Sequence, residues 1–239
     1  MTEQPLVELP SSPLGEADPA FESIALETAH VTFQLPGTTV REKLLQNIAQ
    51  DVVRNQLGLA FRLHVKAAQM HEVPTAHLFA LLRFIAPLTG YPAAAEAVGS
   101  LADLVGTDVG AAEPTAGTPN SPGPGQSVPR ALLTRMADPW LSAFMAARLA
   151  RAWDESGLSQ REKVIVAMTV AVVGAAEGQT LTGCVRAGLE VGMPAAALLD
   201  AVRYCAELHP DRASAAFRLT SGLLDPRGPV LSTTAGDAR

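Results

Sequence analysis

The chain has 239 residues, 48% of them hydrophobic and 18% charged, with a formal net charge of -6 and two cysteines. This composition excludes a disordered chain, a disulfide framework and a thiolate metal cluster. Without a basic stripe there is no electrostatic footing for nucleic-acid binding. No uncharged apolar run reaches the roughly 20 residues that cross a bilayer. Met1 to Pro5 lack the basic start and apolar stretch of a signal peptide, so a cytoplasmic protein is expected. Aromatic residues are only 5% and alanine is abundant, which favours helices over a β-sandwich.

Residues 1–17 are rich in Pro, Ser and Glu and read as a disordered tail. Asp18 before Pro19 is an N-cap followed by proline at the first helical position. Gly37 ends that helix, and Thr38 or Thr39 opens a long apolar helix over 41–53. A further helix covers 59–71, Pro74 starts a third, and a fourth covers 93–104. Gly106 to Arg130 holds ten Gly and Pro residues, including Pro122-Gly123-Pro124-Gly125, and reads as a linker. The series then repeats. Asp138-Pro139 opens a helix carrying Trp140, Phe144, Ala147 and Trp153, and Gly157 closes it. Ser159 with Glu162 forms a capping box, and helices follow over 161–175, 179–191, from Pro194, and over 211–224. Residues 226–239 read as a second tail.

The repetition has a constant offset of 120. Asp18-Pro19 recurs as Asp138-Pro139, Gly37 as Gly157, Arg41-Glu42-Lys43 as Arg161-Glu162-Lys163, Gly58 as Gly178, Pro74 as Pro194, and Arg83 as Arg203. The expectation is an all-α chain of two tandem helical domains, 18–105 and 131–225, joined by the linker 106–130.

The order of these motifs resembles the carboxymuconolactone decarboxylase and alkylhydroperoxidase D-like superfamily. It rests on Gly157-Leu158-Ser159-Gln160-Arg161-Glu162-Lys163 leading into an apolar helix, on His64-Val65-Lys66-Ala67-Ala68 before Glu72-Val73-Pro74, on Cys184-Val185-Arg186-Ala187-Gly188 before Gly192-Met193-Pro194, and on Gly90-Tyr91-Pro92-Ala93-Ala94. The resemblance implies helical units that oligomerise, here as a dimer or trimer, and chemistry without metal or organic cofactor. It places the active-site histidine at His64. The peroxidase branch needs a Cys-x-x-Cys pair, but Leu57 and Ala60 stand there in the first copy and Glu177 and Thr180 in the second. Thiol peroxidase chemistry is therefore not expected. The acidic residue that the decarboxylase branch often places four before the histidine is Ala60 here.

His64 is the candidate general acid/base, because imidazole exchanges protons near neutral pH. Cys184 takes its place in the second copy and reads as a small buried hydrophobe, which marks that copy as the degenerate one. Arg41 and Arg161 open the long helices and could clamp an anion. Arg83 and Arg203 lie in apolar runs, where a buried arginine needs a carboxylate; Glu42 or Glu162 is the first expectation and substrate the second. Tyr91, Trp140, Tyr204 and His209 could line a pocket for a flat ligand, with Glu72 beside it. His71, Glu72 and His77 lack ligand spacing, and no metal site is expected. The expected function is a cofactor-independent decarboxylase, dehydratase, cyclase or isomerase acting on a small aromatic or lactone-like molecule, such as a polyketide intermediate. The alternatives are a cofactor-free monooxygenase on a phenolic substrate and a non-catalytic oligomeric binding protein.

Overall fold

The computed structural model describes residues 7–10, 12–106, 128–133, 138–175 and 178–225; most of the Gly/Pro stretch and the tail from 226 lie outside the described residues. Every regular element among them is helical. The first half runs through α1 (Leu14–Ala17), α2 (Pro19–Phe33), α3 (Val40–Val53), α4 (Leu59–Met70), α5 (Thr75–Thr89) and α6 (Tyr91–Val105). The second half runs through α7 (Pro139–Trp153), α8 (Gln160–Val173), α9 (Gly178–Glu190), α10 (Ala195–Tyr204) and α11 (Pro210–Leu224), with 3-10 turns at Arg130–Leu132 and Cys205–Glu207.

The cap chemistry operates as the sequence implies. The Asp18 carboxylate accepts from the backbone N–H groups of Ala20 and Phe21. Asp138 accepts from that of Leu141. Reciprocal capping boxes join Thr39 to Glu42 and Ser159 to Glu162. Each satisfies N–H groups that a helix start leaves without partners. Of the two candidate threonines, Thr39 is the cap and Thr38 is buried.

The halves are recognisable helix by helix, and their buried side chains form one core cluster. The central helices α3 and α8 pack against each other, while the first helix of each half crosses to the other half. α2 ends against α10, and α7 packs on α5. Phe33 meets Tyr204 edge to face with ring centres 5.6 Å apart, and Trp153 meets Phe84 likewise at 5.4 Å. The repeated glycines make this crossing possible. A Cβ on Gly37 would sit 2.8 Å from the Ala196 carbonyl oxygen and 2.9 Å from the Ala197 Cα; one on Gly157 would sit 2.8 Å from the Ala80 Cβ.

The repeated Arg-Glu-Lys triplet has the same logic. Arg41 Nε donates to Glu162 at 2.5 Å, and Arg161 Nε donates to Glu42 at 2.6 Å. Arg41 also donates to the Gly157 carbonyl at 3.2 Å, and Arg161 to the Gly37 carbonyl at 2.6 Å. Burial favours the neutral form of Glu162, but the Arg41 guanidinium and the bonds from Ser159 outweigh it and hold the carboxyl below its ordinary value. Lys43 is fully buried and its ammonium donates to the carbonyls of Phe33, Leu35 and Thr38 at 2.8, 2.6 and 3.0 Å, closing the C-terminal end of α2. Lys163 donates in the same way to the Trp153 carbonyl. Burial lowers both ammonium groups to about 8, against the pull of nearby carboxylates.

The pairing extends outside the helices. In the segment read as a tail, Val7 and Leu9 pack against the core and His71 Nε2 lies 3.0 Å from the Glu8 carbonyl oxygen. In the second half the Arg130–Leu132 turn lies on α9, where a Cβ on Gly183 would stand 2.8 Å from the Ala131 carbonyl oxygen.

Gly37→Ala is expected to destabilise the protein by about 1–3 kcal/mol through overpacking against backbone atoms. Gly99→Ala in α6 meets nothing within 4 Å and is expected to stabilise it by about 0.5–1 kcal/mol. Urea melts of the two variants check this; equal effects would mean that the crossing is not closely packed.

Candidate functional site

The central helices differ on one face. Positions 46, 47, 50 and 51 form two i, i+4 pairs on α3. In the first half they are Gln46, Asn47, Gln50 and Asp51; at the equivalent positions of α8 stand Val166, Ala167, Val170 and Ala171. All four α3 side chains are buried. The helices around them follow suit. His64 on α4 replaces Cys184, Tyr204 on α10 replaces Phe84, Thr169 on α8 replaces Ala49, and Thr32 on α2 replaces Ala152. Of two equivalent places in the molecule, one is polar and the other is filled with apolar side chains.

Asp51 and His64 form the centre of the polar place. Asp51 Oδ2 lies 2.6 Å from His64 Nδ1; the Asp51 side chain is 1% exposed and that of His64 is 23% exposed. A carboxylate accepts only, so His64 carries its proton on Nδ1 towards Asp51, and Nε2 is the nitrogen left for exchange with a ligand. Burial raises the Asp51 carboxyl above its ordinary value, and the His64 bond partly opposes that rise.

Behind the dyad the network is incomplete. Gln46 donates to Thr169 Oγ1 at 2.8 Å and to the Ala201 carbonyl at 2.9 Å, but its own carbonyl oxygen has no partner. Gln50 is completely buried and neither end of its amide is paired. The Tyr204 hydroxyl, close to Asn47, makes no well-formed hydrogen bond; burial, then Glu207, pushes its pKa well up. Glu207 itself accepts from Thr32 at 2.8 Å, and Arg54 Nη1 lies 2.7 Å from His209 Nε2 at the exposed end. Each unpaired buried group costs about 1–3 kcal/mol, a cost that the apolar twin avoids.

The other residues singled out in the sequence are engaged elsewhere. Arg41 is held by Glu162 and the Gly157 carbonyl and contacts His77 Nδ1 at 3.2 Å; it sits ten residues before Asp51 on α3, about 15 Å along the axis. Arg83 and Arg203 are exposed, contrary to the expectation of burial, because their long stems leave the apolar run for solvent. Arg83 pairs bidentately with Glu155 of the crossing segment, and Arg203 with Asp200 at 2.6 Å, so neither uses Glu42 or Glu162. Glu72 is an exposed residue at φ 57 just after α4, and Tyr91 is exposed at the start of α6. Trp140 is 67% exposed and stacks on Phe144 at 5.1 Å. Cys184 and Cys205 are buried thiols, both pushed up to about 12 by burial, so neither supplies a thiolate near neutral pH. No group of three metal-ligating side chains occurs among the described residues.

Asp51 escaped the sequence reading, which sought an acid four residues before His64. Its signal was the carboxylate within the apolar run Ile48 to Val53, together with the mismatch against α8. Neither protein-family models nor curated proteins give a match to this chain.

The raised carboxyl has a definite sign in stability. The folded chain holds the Asp51 proton more tightly than the unfolded chain does. Its contribution is therefore fully present below about pH 3.8, the ordinary value, and is lost as pH rises through the folded value. Asp51→Asn removes this titration and keeps an acceptor for His64. The variant is expected to melt a few degrees above the parent at pH 7, with the gap closing towards pH 4. A lower melting point at pH 7 would show that the carboxylate is net stabilising.

Proposed function

We propose that this chain is a cofactor-independent acid/base enzyme in which His64 moves the proton and Asp51 fixes its tautomer and orientation. The observation that carries this reading is the 2.6 Å contact between a partly exposed imidazole and a buried carboxylate. An oriented imidazole with one free nitrogen is suited to take a proton next to a carbonyl and return it elsewhere, which is the common step of dehydration, isomerisation and aldol-type ring closure. The motif order resembling the carboxymuconolactone decarboxylase superfamily supports a small aromatic or lactone-like substrate, such as a polyketide intermediate. The second half, with Cys184 and Ala171 at the dyad positions, acts as scaffold.

The test is exchange of α-protons into D2O from a panel of small aryl ketones, followed by NMR. His64→Ala is expected to keep its helical circular dichroism and lose about 10²–10⁴-fold in rate. An unchanged exchange rate would remove His64 from the chemistry, and oxygen uptake by the same mixtures would move the reading to the monooxygenase alternative.

Self-association belongs to the same proposal. Along α2, Phe21, Ile24 and Val31 are exposed at coiled-coil spacing, and Trp140, Leu141 and Phe144 are exposed on α7. The exposed charges differ in sign: Glu27 lies on α2, and Arg148 and Arg151 lie on α7. This fits α2 of one copy against α7 of another. Light scattering is expected to show a dimer or trimer, and Ile24→Glu with Val31→Glu a monomer. A monomeric parent chain would contradict the arrangement.

A further inference from the structure

The duplicated chain contains its own control for the ligand. The polar place and its apolar twin share backbone positions, so the differences between them isolate what the polar place was built to meet. Those differences add three amides on α3 (Gln46, Asn47 and Gln50), a phenol at Tyr204 and the carboxylate of Asp51. They add the imidazole of His64, already held against Asp51, and no lysine or arginine inside. Lys43, the buried ammonium on the same helix, is committed to three backbone carbonyls. Arg54 stands exposed at the end of the helix and contacts His209. The carboxylates of Glu207 and Asp51 act on the Tyr204 phenol and both oppose negative charge there. An anionic ligand entering here would meet carboxylates and no lysine or arginine counter-ion, with the His64 imidazole already taken by Asp51, at a cost that amide and phenol groups do not offset.

From this we propose that the polar place binds an uncharged ligand carrying both a hydrogen-bond acceptor and a donor, of the hydroxy-carbonyl class, and that Gln50 is the residue that recognises it. Gln50 is the one fully buried side chain here with both donor and acceptor ends unpaired, and the free oxygen of Gln46 and the Tyr204 hydroxyl complete the set. An amide offering a donor and an acceptor matches a carbonyl beside a hydroxyl, while a carboxylate would leave the amide oxygen facing negative charge. His64, with its 23% exposure against 1% for Asp51, is the outer wall through which the ligand is admitted. This deepens the acid/base reading and rests on it only for what happens to the bound molecule. It also separates the possible reactions: an uncharged hydroxy-carbonyl compound is suited to loss of water, enolisation or ring closure, and carries no carboxylate to lose as carbon dioxide.

The experiment is calorimetric titration at pH 6.5 with salicylamide and with salicylate, two probes of the same shape that differ in charge. Salicylamide is expected to bind saturably in the millimolar range and salicylate at least about tenfold more weakly. Gln50→Leu and Tyr204→Phe are expected to weaken salicylamide about tenfold each and leave the salicylate value unmoved. Phe84 stands at the position of Tyr204 in the twin, so Tyr204→Phe is compatible with the fold. Gln50→Leu should also raise the melting temperature of the free protein, since it removes a buried amide without partners; a structural glutamine would give the opposite. Tighter binding of salicylate, absence of saturable salicylamide binding, or an affinity for salicylamide that survives both substitutions would overturn the proposal. None of these readouts involves turnover. A Gln50-dependent affinity with an inactive His64 would refute the acid/base reading alone, and preference for salicylate would refute only the present one.

Discussion

The constraint on which this molecule depends is the reciprocal pairing of α3 with α8. Two arginines reach across to the glutamates of opposite helices, and the same arginines bind the carbonyls of Gly37 and Gly157. The two glycines must lack side chains because the crossing segments press onto α10 and α5. The buried lysines then secure the ends of the crossing helices. Every member of the repeated Arg-Glu-Lys triplet is thereby used by the architecture. Arg41, a reasonable anion clamp on sequence grounds, is engaged through Nε and Nη2 in holding the two halves together.

Against that nearly symmetric frame, the chemical asymmetry of the two faces is sharp. The α8 face is apolar and well suited to burial. The α3 face carries amides and a carboxylate into the same kind of environment, where an incomplete hydrogen-bond network costs stability. A stretch that is locally inconsistent with its fold, beside a twin that is consistent, is where a functional site is expected. The His64–Asp51 contact lies at that stretch.

Several features were legible in the chain alone. The repeat, the Asp-Pro and Ser/Thr-x-x-Glu helix starts and the helical periods come from local backbone chemistry, which acts within a few residues. His64 was singled out through motif order. Arg83 was not readable, because an arginine in an apolar run can turn its charged end to solvent, and its partner Glu155 lies 72 positions away. Tyr91 and Trp140 showed the converse: aromatic type does not decide burial, and both lie on exposed surface.

Read along the chain, local chemistry shows helices and a series of residues repeated at an offset of 120 that breaks at His64, since caps, periodicity and internal matches need no knowledge of distant contacts. That the halves share one core, that the acid beside His64 is Asp51 and that Gln50 is left without a partner emerge from the packed molecule alone. Each of those facts depends on which helix faces become neighbours. That is set by packing summed over the whole molecule, not by any local run of residues.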